Sequence, residues 1–214
     1  VGRDMRASSP ALADAVIRGL TMQGADVVNI GLVSTPTFYF GVAHGGYDGG
    51  MQVSASHNPA QYNGLKIVRD AAKPLGTGTG MEELKELATA AVFPEVAVPG
   101  TQTERLDVLE QEVAAALQHA GTAAIQPMTI VADAANAMGA QYLDALFAQM
   151  PQMTLHRMYW ELDGTFPNHE ADPFKEENLV DVKKMVLEKK ADLGIATDGD
   201  GDRIFFIDNE GQLI

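Results

Sequence analysis

The chain has 214 residues, 46% hydrophobic and 21% charged, the balance of an ordinary globular protein with room for one large domain or two of normal size. A net charge of -14 argues against a general nucleic-acid or anionic-membrane surface, so the expected ligand is small, with a local basic pocket for phosphate still compatible. The absence of cysteine excludes disulfides, Cys-based zinc sites and thiol nucleophiles, and no apolar run approaches the roughly 20 residues that cross a bilayer, which makes the cytoplasm the expected compartment. The sequence opens at Val1-Gly2-Arg3-Asp4 without a Met and stops in a strand and turn, Ile204 to Ile214, so a fragment of something longer is expected.

Helical and strand periodicities alternate, which predicts an α/β protein. Ser9-Pro10 reads as an N-cap with proline at the first helical position, and Leu12, Val16, Ile17 and Leu20 give that helix an apolar stripe ending near Gly24. Val27 to Ile30 is a short buried strand. Thr35-Pro36 repeats the capping signal for a helix through about His44, and Met51-Gln52-Val53 is a strand that delivers the chain into a serine-rich loop. A turn at Asn63-Gly64 leads to a strand, Leu65 to Val68, then a Gly/Thr-rich loop and a helix from Met81 to about Ala91. Pro94 to Thr103 reads as a linker, followed by a helix from Arg105 to about His119 carrying Leu106, Leu109, Val113 and Leu117 on one side. The second half has expected strands at Thr129 to Ala132, Thr154 to Tyr159, Leu193 to Ala196 and Ile204 to Ile207. Its helices are expected near Gly139 to Met150 and Glu176 to Lys189. The expected organisation is a domain over 1–97, a linker over 98–103 and a domain over 104–214, both with mixed sheets flanked by helices.

Two loops carry the chemistry. Asp198-Gly199-Asp200-Gly201-Asp202-Arg203 puts three carboxylates into one turn, where like charges resist joint ionisation unless a cation offsets them. An all-oxygen donor set without Cys or His suits Mg²⁺, Mn²⁺ or Ca²⁺, and Mg²⁺ commonly shares its shell with phosphate oxygens. An EF-hand reading fails, because its sixth position is Arg203 rather than glycine and its twelfth is Asn209 rather than glutamate. In the other loop, Ser54-Ala55-Ser56-His57-Asn58-Pro59, Ser56 is a candidate nucleophile and phosphate carrier. On the loop alone, Ser54, Ser56 and Asn58 equally fit a capped turn. His57 can orient a phosphate or a proton, Lys66 can return to the same pocket as acid, base or phosphate clamp, and Arg203 can neutralise the carboxylates or hold phosphate. A structural histidine and a solvated lysine stand beside those readings.

Taken together, these segments resemble the α-D-phosphohexomutase family: Ser54 to Pro59 its phosphoserine loop, Asn63-Gly64-Leu65-Lys66 its continuation, and Asp198 to Arg203 its magnesium loop. Gly2 to Arg6, Ser34-Thr35-Pro36 and Asp163 to His169 extend the likeness over nearly the whole chain. The resemblance implies Ser56 as the phosphorylated serine and a ligand of one Mg²⁺ together with Asp198, Asp200 and Asp202. It implies Lys66 and His57 as catalytic groups and Arg6, Asn58 and Arg203 as substrate or phosphate ligands. It further implies interconversion of hexose 1- and 6-phosphates through a hexose 1,6-bisphosphate, with hexose phosphates as the small-molecule partners. The run Gln61 to Val68 is closer to the phosphomannomutase/phosphoglucomutase branch than to the phosphoglucosamine mutase branch. The family has four domains, so the chain is expected to hold most of the first and part of the second, without the first domain's opening strand, and to be nearly inactive by itself. A metal-dependent phosphatase and a non-catalytic sugar-phosphate binder are the readings from other classes.

Overall fold

The chain builds the same mixed sheet twice. In the computed structural model, which describes residues 1–121 and 125–214, the first half contains β1 (Gly2–Arg3), α1 (Ser9–Met22), β2 (Val27–Asn29), β3 (Gly31–Leu32), α2 (Thr35–Gly45), β4 (Gly49–Val53), β5 (Leu65–Arg69) and α3 (Met81–Ala90). The second half contains β6 (Gln102–Glu104), α4 (Val108–Ala120), β7 (Thr129–Asp133), α5 (Gly139–Ala148), β8 (Thr154–Met158), α6 (Val180–Lys189), β9 (Leu193–Thr197) and β10 (Ile204–Ile207). The first sheet runs β3-β1-β4-β5 and the second β10-β9-β7-β8. Each is parallel except for one edge strand, β5 against β4 and β10 against β9. The two loops singled out from the sequence are the connections into those antiparallel edge strands. They occupy equivalent places, at the carboxyl ends of β4 and β9, where open α/β sheets present their ligand sites.

Alternation along the strands decides which helix covers which face. Ile130 and Ala132 of β7 and Ile195 of β9 bury against Leu143 of α5, while Val131 and Ala196 bury against Val182 and Val186 of α6. In the first half Phe38 and Val42 of α2 pack on Ile30, Val33 and Val68, and Val108 of α4 completes that cluster.

The structure departs from the sequence reading at several points. The N-cap of α2 is Ser34, whose hydroxyl accepts the Thr37 N–H at 3.2 Å, and Thr35 lies inside the helix. Ser8, not Ser9, precedes α1, and the Ser9 hydroxyl donates to Asp4 instead of capping. The buried stripe of α1 is Ala13 and Ile17, with Leu12 exposed. Helix α4 begins at Val108, which is 2% exposed, leaving Leu106 outside the helix at 68%. The expected strand over Val27 to Ile30 is β2, which ends at Asn29; after Ile30 the chain turns at Gly31, whose φ of +73° suits glycine, into β3, and β2 and β3 join different sheets. Where a linker was expected, Gln102–Glu104 forms a strand parallel to β2. No helix among the described residues is long and apolar enough to cross a membrane.

Candidate active site

Beyond β4 the chain runs through the loop 54–64, which is closed at its neck by the Ser54 N–H donating to the Gly64 carbonyl at 3.0 Å. The Asn63 amide ties the far end to α1 by donating to the Ser8 and Ser9 hydroxyls at 2.8 and 2.9 Å. Ser56 sits at the crest with φ +52°, a left-handed conformation that costs a non-glycine residue about 1–2 kcal/mol, and its N–H donates to Ser54 Oγ at 3.0 Å.

The loop 198–203 faces it. Gly201 turns at φ +74°, and its N–H donates to the Asp198 carbonyl at 3.1 Å. Two helix starts support the loop: the Thr35 N–H donates to the Asp200 carbonyl at 2.9 Å, and the Met138 N–H donates to the Gly199 carbonyl at 3.3 Å. The loops meet backbone to backbone, since a Cβ on Gly199 would stand 2.2 Å from the Ser56 carbonyl oxygen. Only glycine permits that approach.

Contact at this distance brings the Ser56 hydroxyl to Asp198, donating to Oδ2 at 2.9 Å. Asp198 and Asp200 are fully buried, Asp202 is partly exposed, and oxygens from the three carboxylates lie within 4.8 Å of one another. Burial, reinforced by Asp200 and Asp202, pushes the Asp198 carboxyl up to about 7. Burial acts on Asp200 in the same direction, but the Lys66 ammonium and the Thr35 and Ser56 hydroxyls outweigh it and hold that carboxyl below its ordinary value. Lys66 Nζ lies 2.6 Å from Asp200 Oδ2 and 2.6 Å from Asp202 Oδ2. Burial would favour its neutral form, yet the two carboxylates more than offset this and raise its pKa.

The donor set fits a hard divalent cation. Thr35 Oγ1 and Lys66 Nζ both bond Oδ2 of Asp200, while Oδ1 of the same carboxylate is buried with no hydrogen-bond partner among the described residues. An orphaned buried carboxylate oxygen beside two further carboxylates is costly unless a cation binds it. A separate cavity of about 560 Å³ lies at the opposite end of β4, around Tyr47 and Gly49, and shares no residue with this site.

The remaining sequence candidates separate by geometry. Arg203 donates from Nη1 to His57 Nδ1 at 2.6 Å, so that nitrogen bears the lone pair, and His57 Nδ1 lies 3.4 Å from Ser56 Oγ. The Arg203 guanidinium stacks on Phe174 with its carbon 5.3 Å from the ring centroid and reaches Asp202 at 3.7 Å. Asn58 lies at the site's edge, where its side chain donates to the Ala55 carbonyl at 2.8 Å and caps its own turn.

Arg6 does not serve the role expected of it. It is 1% exposed, and each of its five guanidinium N–H groups already has an acceptor. Nε donates to Asp4, Nη1 to the carbonyls of Pro59 and Tyr62, and Nη2 to those of Ser56 and Asn58, so no donor is left for a substrate phosphate. Sequence reasoning also passed over Asp4, Ser9, Thr35, Phe166 and Phe174. Asp4, Thr35 and Phe166 lie in segments that carry the resemblance, and Ser9 and Thr35 read as helix caps in the sequence, but that reading gives none of the five a role at the site.

The sequence model described as phosphoglucomutase/phosphomannomutase, alpha/beta/alpha domain I, matches residues 1–94, and that of alpha/beta/alpha domain II matches residues 106–211. A phosphomannomutase of Vibrio cholerae is 37% identical over 218 residues, covering 100% of this chain and 47% of the relative. A phosphohexose mutase protein of Xanthomonas campestris is 37% identical over 217 residues, with 100% and 47% coverage. Among solved structures, a phosphoglucomutase/phosphomannomutase family protein from Burkholderia thailandensis superposes with a TM-score of 0.88 at 33% identity, covering 100% of this chain and 46% of that one. The chain thus spans about half the length of the curated relatives it matches.

Proposed function

This chain belongs to the phosphoglucomutase/phosphomannomutase family, and from that premise we propose that the protein interconverts hexose 1-phosphates and hexose 6-phosphates, of mannose or glucose, in the cytoplasm by way of a phosphoserine at Ser56. The observation that carries the reading is the buried Ser56 hydroxyl held 2.9 Å from Asp198 inside a cluster of three carboxylates and one lysine. Asp198, Asp200 and Asp202, with an oxygen on Ser56, are the residues that would hold one Mg²⁺, which when bound would offset charge on the transferring phosphoryl oxygens.

The chain's own residues do the rest. The P–O bond to Ser56 breaks as a hydroxyl of the sugar monophosphate bonds the phosphorus, giving a hexose 1,6-bisphosphate. The sugar then reorients, and its other phosphoryl group returns to Ser56. Lys66, protonated between Asp200 and Asp202, gives its proton to the leaving Ser56 oxygen and takes up the proton that the attacking sugar hydroxyl loses, and the return transfer reverses both. Arg203, pinned by Phe174, is the cation placed to orient phosphoryl oxygens beside His57. Because the relatives are about twice as long, these 214 residues alone are expected to turn over hexose phosphates at a small fraction of the whole protein's rate.

Intact mass and phosphopeptide mapping of the full-length protein with Mg²⁺, wild type against Ser56→Ala, test the reading. The expected result is one phosphate on Ser56 that passes to hexose 1-phosphate as hexose 1,6-bisphosphate appears. A Ser56 that remains unmodified after exposure to hexose 1,6-bisphosphate would refute it.

A further inference from the structure

We propose that Arg6 is a positioning residue for phosphoryl transfer at Ser56, an internal strut that fixes the serine loop against the aspartate loop and touches no substrate. This rests on the reading of Ser56 as phosphoryl carrier. Arg6 follows β1, and its guanidinium enters the concave side of the loop 54–64, donating to the carbonyls of Ser56, Asn58, Pro59 and Tyr62 at 2.8, 2.7, 2.8 and 3.1 Å. The carbonyls of Ser56, Asn58 and Tyr62 have no other protein donor among the described residues, whereas that of Pro59 also accepts the Tyr62 N–H at 3.0 Å.

Asp4 orients the strut. Its Oδ2 takes the Arg6 Nε–H at 3.2 Å, while its Oδ1 accepts the Arg6 backbone N–H at 3.0 Å and also the Ser9 hydroxyl. A fully buried ion pair of this kind adds little net stability, because both charges lose hydration, and its better-attested use is to specify one arrangement over its competitors. The arrangement specified here is Ser56 at φ +52°, a conformation that persists when its surroundings over-determine it.

The second half of the chain completes the joint. The Phe166 ring covers the guanidinium, its centroid 5.2 Å from the Arg6 carbon, and Phe166 itself holds φ +53°, an outlier for a bulky residue. Two residues earlier the backbone of Gly164 comes so close that a Cβ there would stand 2.6 Å from Arg6 Cα. Arg6 therefore touches both loops' supports. The Ser56 carbonyl that accepts from its Nη2 is also the oxygen against which Gly199 of the aspartate loop packs. Moving that carbonyl moves Ser56 Oγ relative to Asp198, and phosphoryl transfer is sensitive to displacements on the order of 1 Å.

Lysine cannot replace this fork. It has three donors on one nitrogen, against five donors spread over a plane. In the full-length protein with Mg²⁺, Arg6→Lys is expected to slow the transfer from hexose 1,6-bisphosphate to Ser56 by about 10²-fold, with KM for hexose 1-phosphate and the affinity for Mg²⁺ unchanged. Arg6→Ala is expected to regain rate on addition of guanidinium chloride at non-denaturing concentration, which a general loss of stability would not allow. A wild-type rate in Arg6→Lys, or a raised KM with kcat intact, overturns the proposal, the second outcome making Arg6 a substrate ligand. Should the Arg6 variants fail to fold, Phe166→Leu decides: slower transfer at unchanged Mg²⁺ affinity supports the strut, and a wild-type rate refutes it. A wild-type protein that takes no phosphate at Ser56 overturns the functional reading and this inference together, whereas a phosphorylated wild type with an indifferent Arg6→Lys overturns the strut alone.

Discussion

Asp198 couples the site to pH more directly than its neighbours, because it accepts the Ser56 hydroxyl and its own carboxyl is pushed up to about 7 by burial and by Asp200 and Asp202. Cation binding needs that carboxyl ionised, so protons and Mg²⁺ compete for it. The affinity for Mg²⁺ is expected to fall about tenfold for each pH unit below 7. A calorimetric titration of the full-length protein between pH 5 and 8 measures it, and a flat affinity across pH 5.5 to 7.5 would show that the Asp198 carboxyl is already ionised at the lower limit. Stability moves the other way in metal-free protein. With a folded-state value near 7 against an ordinary 3.8, the folded chain binds the extra proton between those limits, so Asp198 makes stability fall as pH rises through that window. At this scale the sequence was most readable where residue type limits chemistry, as in three carboxylates spaced by glycines. Arg6 differs from its expected role for the converse reason: an arginine's fork matches four loop carbonyls as well as it matches a phosphate, and the acceptors come from residues fifty or more positions away.

The segment 163–174 bridges the two loops without belonging to either, and His169 fastens it to the end of β7. Both ring nitrogens face oxygens, Nε2 at 2.9 Å from Asp133 Oδ2 and Nδ1 at 2.8 Å from the Glu170 carbonyl, and the Tyr159 ring packs edge-on at 5.2 Å. Burial favours the neutral imidazole, but the bond to Asp133, its charge and the Glu170 carbonyl outweigh it and raise the pKa above 6.5. A raised value means that the His169 contribution is complete below 6.5 and is lost as pH climbs through the folded-state value. His169→Gln is accordingly expected to cost about 1.5–3 kcal/mol at pH 6 and less at pH 9. Denaturant unfolding at the two pH values checks this, and an equal cost at both would mean that the proton plays no part. Elements were legible where a helical period or a run of apolar residues of four or more stood out. Helices α2 and α5 and strand β10 fall within a residue or two of their expected limits, while β1 and β3 are two residues each and too short to show a period. β6 reads Gln-Thr-Glu with every residue exposed, so no apolar face announced it.

At the scale of the whole chain, the expected boundary near residue 104 cuts through packing that the structure makes continuous. Strand β6 pairs with β2, Thr37 of α2 donates to Glu112 of α4 at 2.6 Å, and Val108 lies in the same cluster as Phe38, Val42 and Val68. Composition marked the Pro-containing stretch before it as a break, and composition carries no information on where the next apolar side chain lands. The consequence is mechanical. Ser56 and Asp198 stand 142 positions apart, so their 2.9 Å contact survives only if the two halves move as one body. Val108→Ala is expected to remove about 2 kcal/mol, and, although the residue lies beyond the expected boundary, to loosen the first half. Hydrogen exchange followed residue by residue makes the distinction: amides of α2 and β4 should lose protection, while those of β7 and β9, which pack on Leu143 and Val186, should keep theirs. Faster exchange confined to α4 would show that Val108 anchors only its own helix. In that case the register between the two loops would depend on their direct contacts, the Gly199–Ser56 and Arg6–Gly164 approaches, the Lys66 pairs with Asp200 and Asp202 and the Thr35 N–H bond to the Asp200 carbonyl among them.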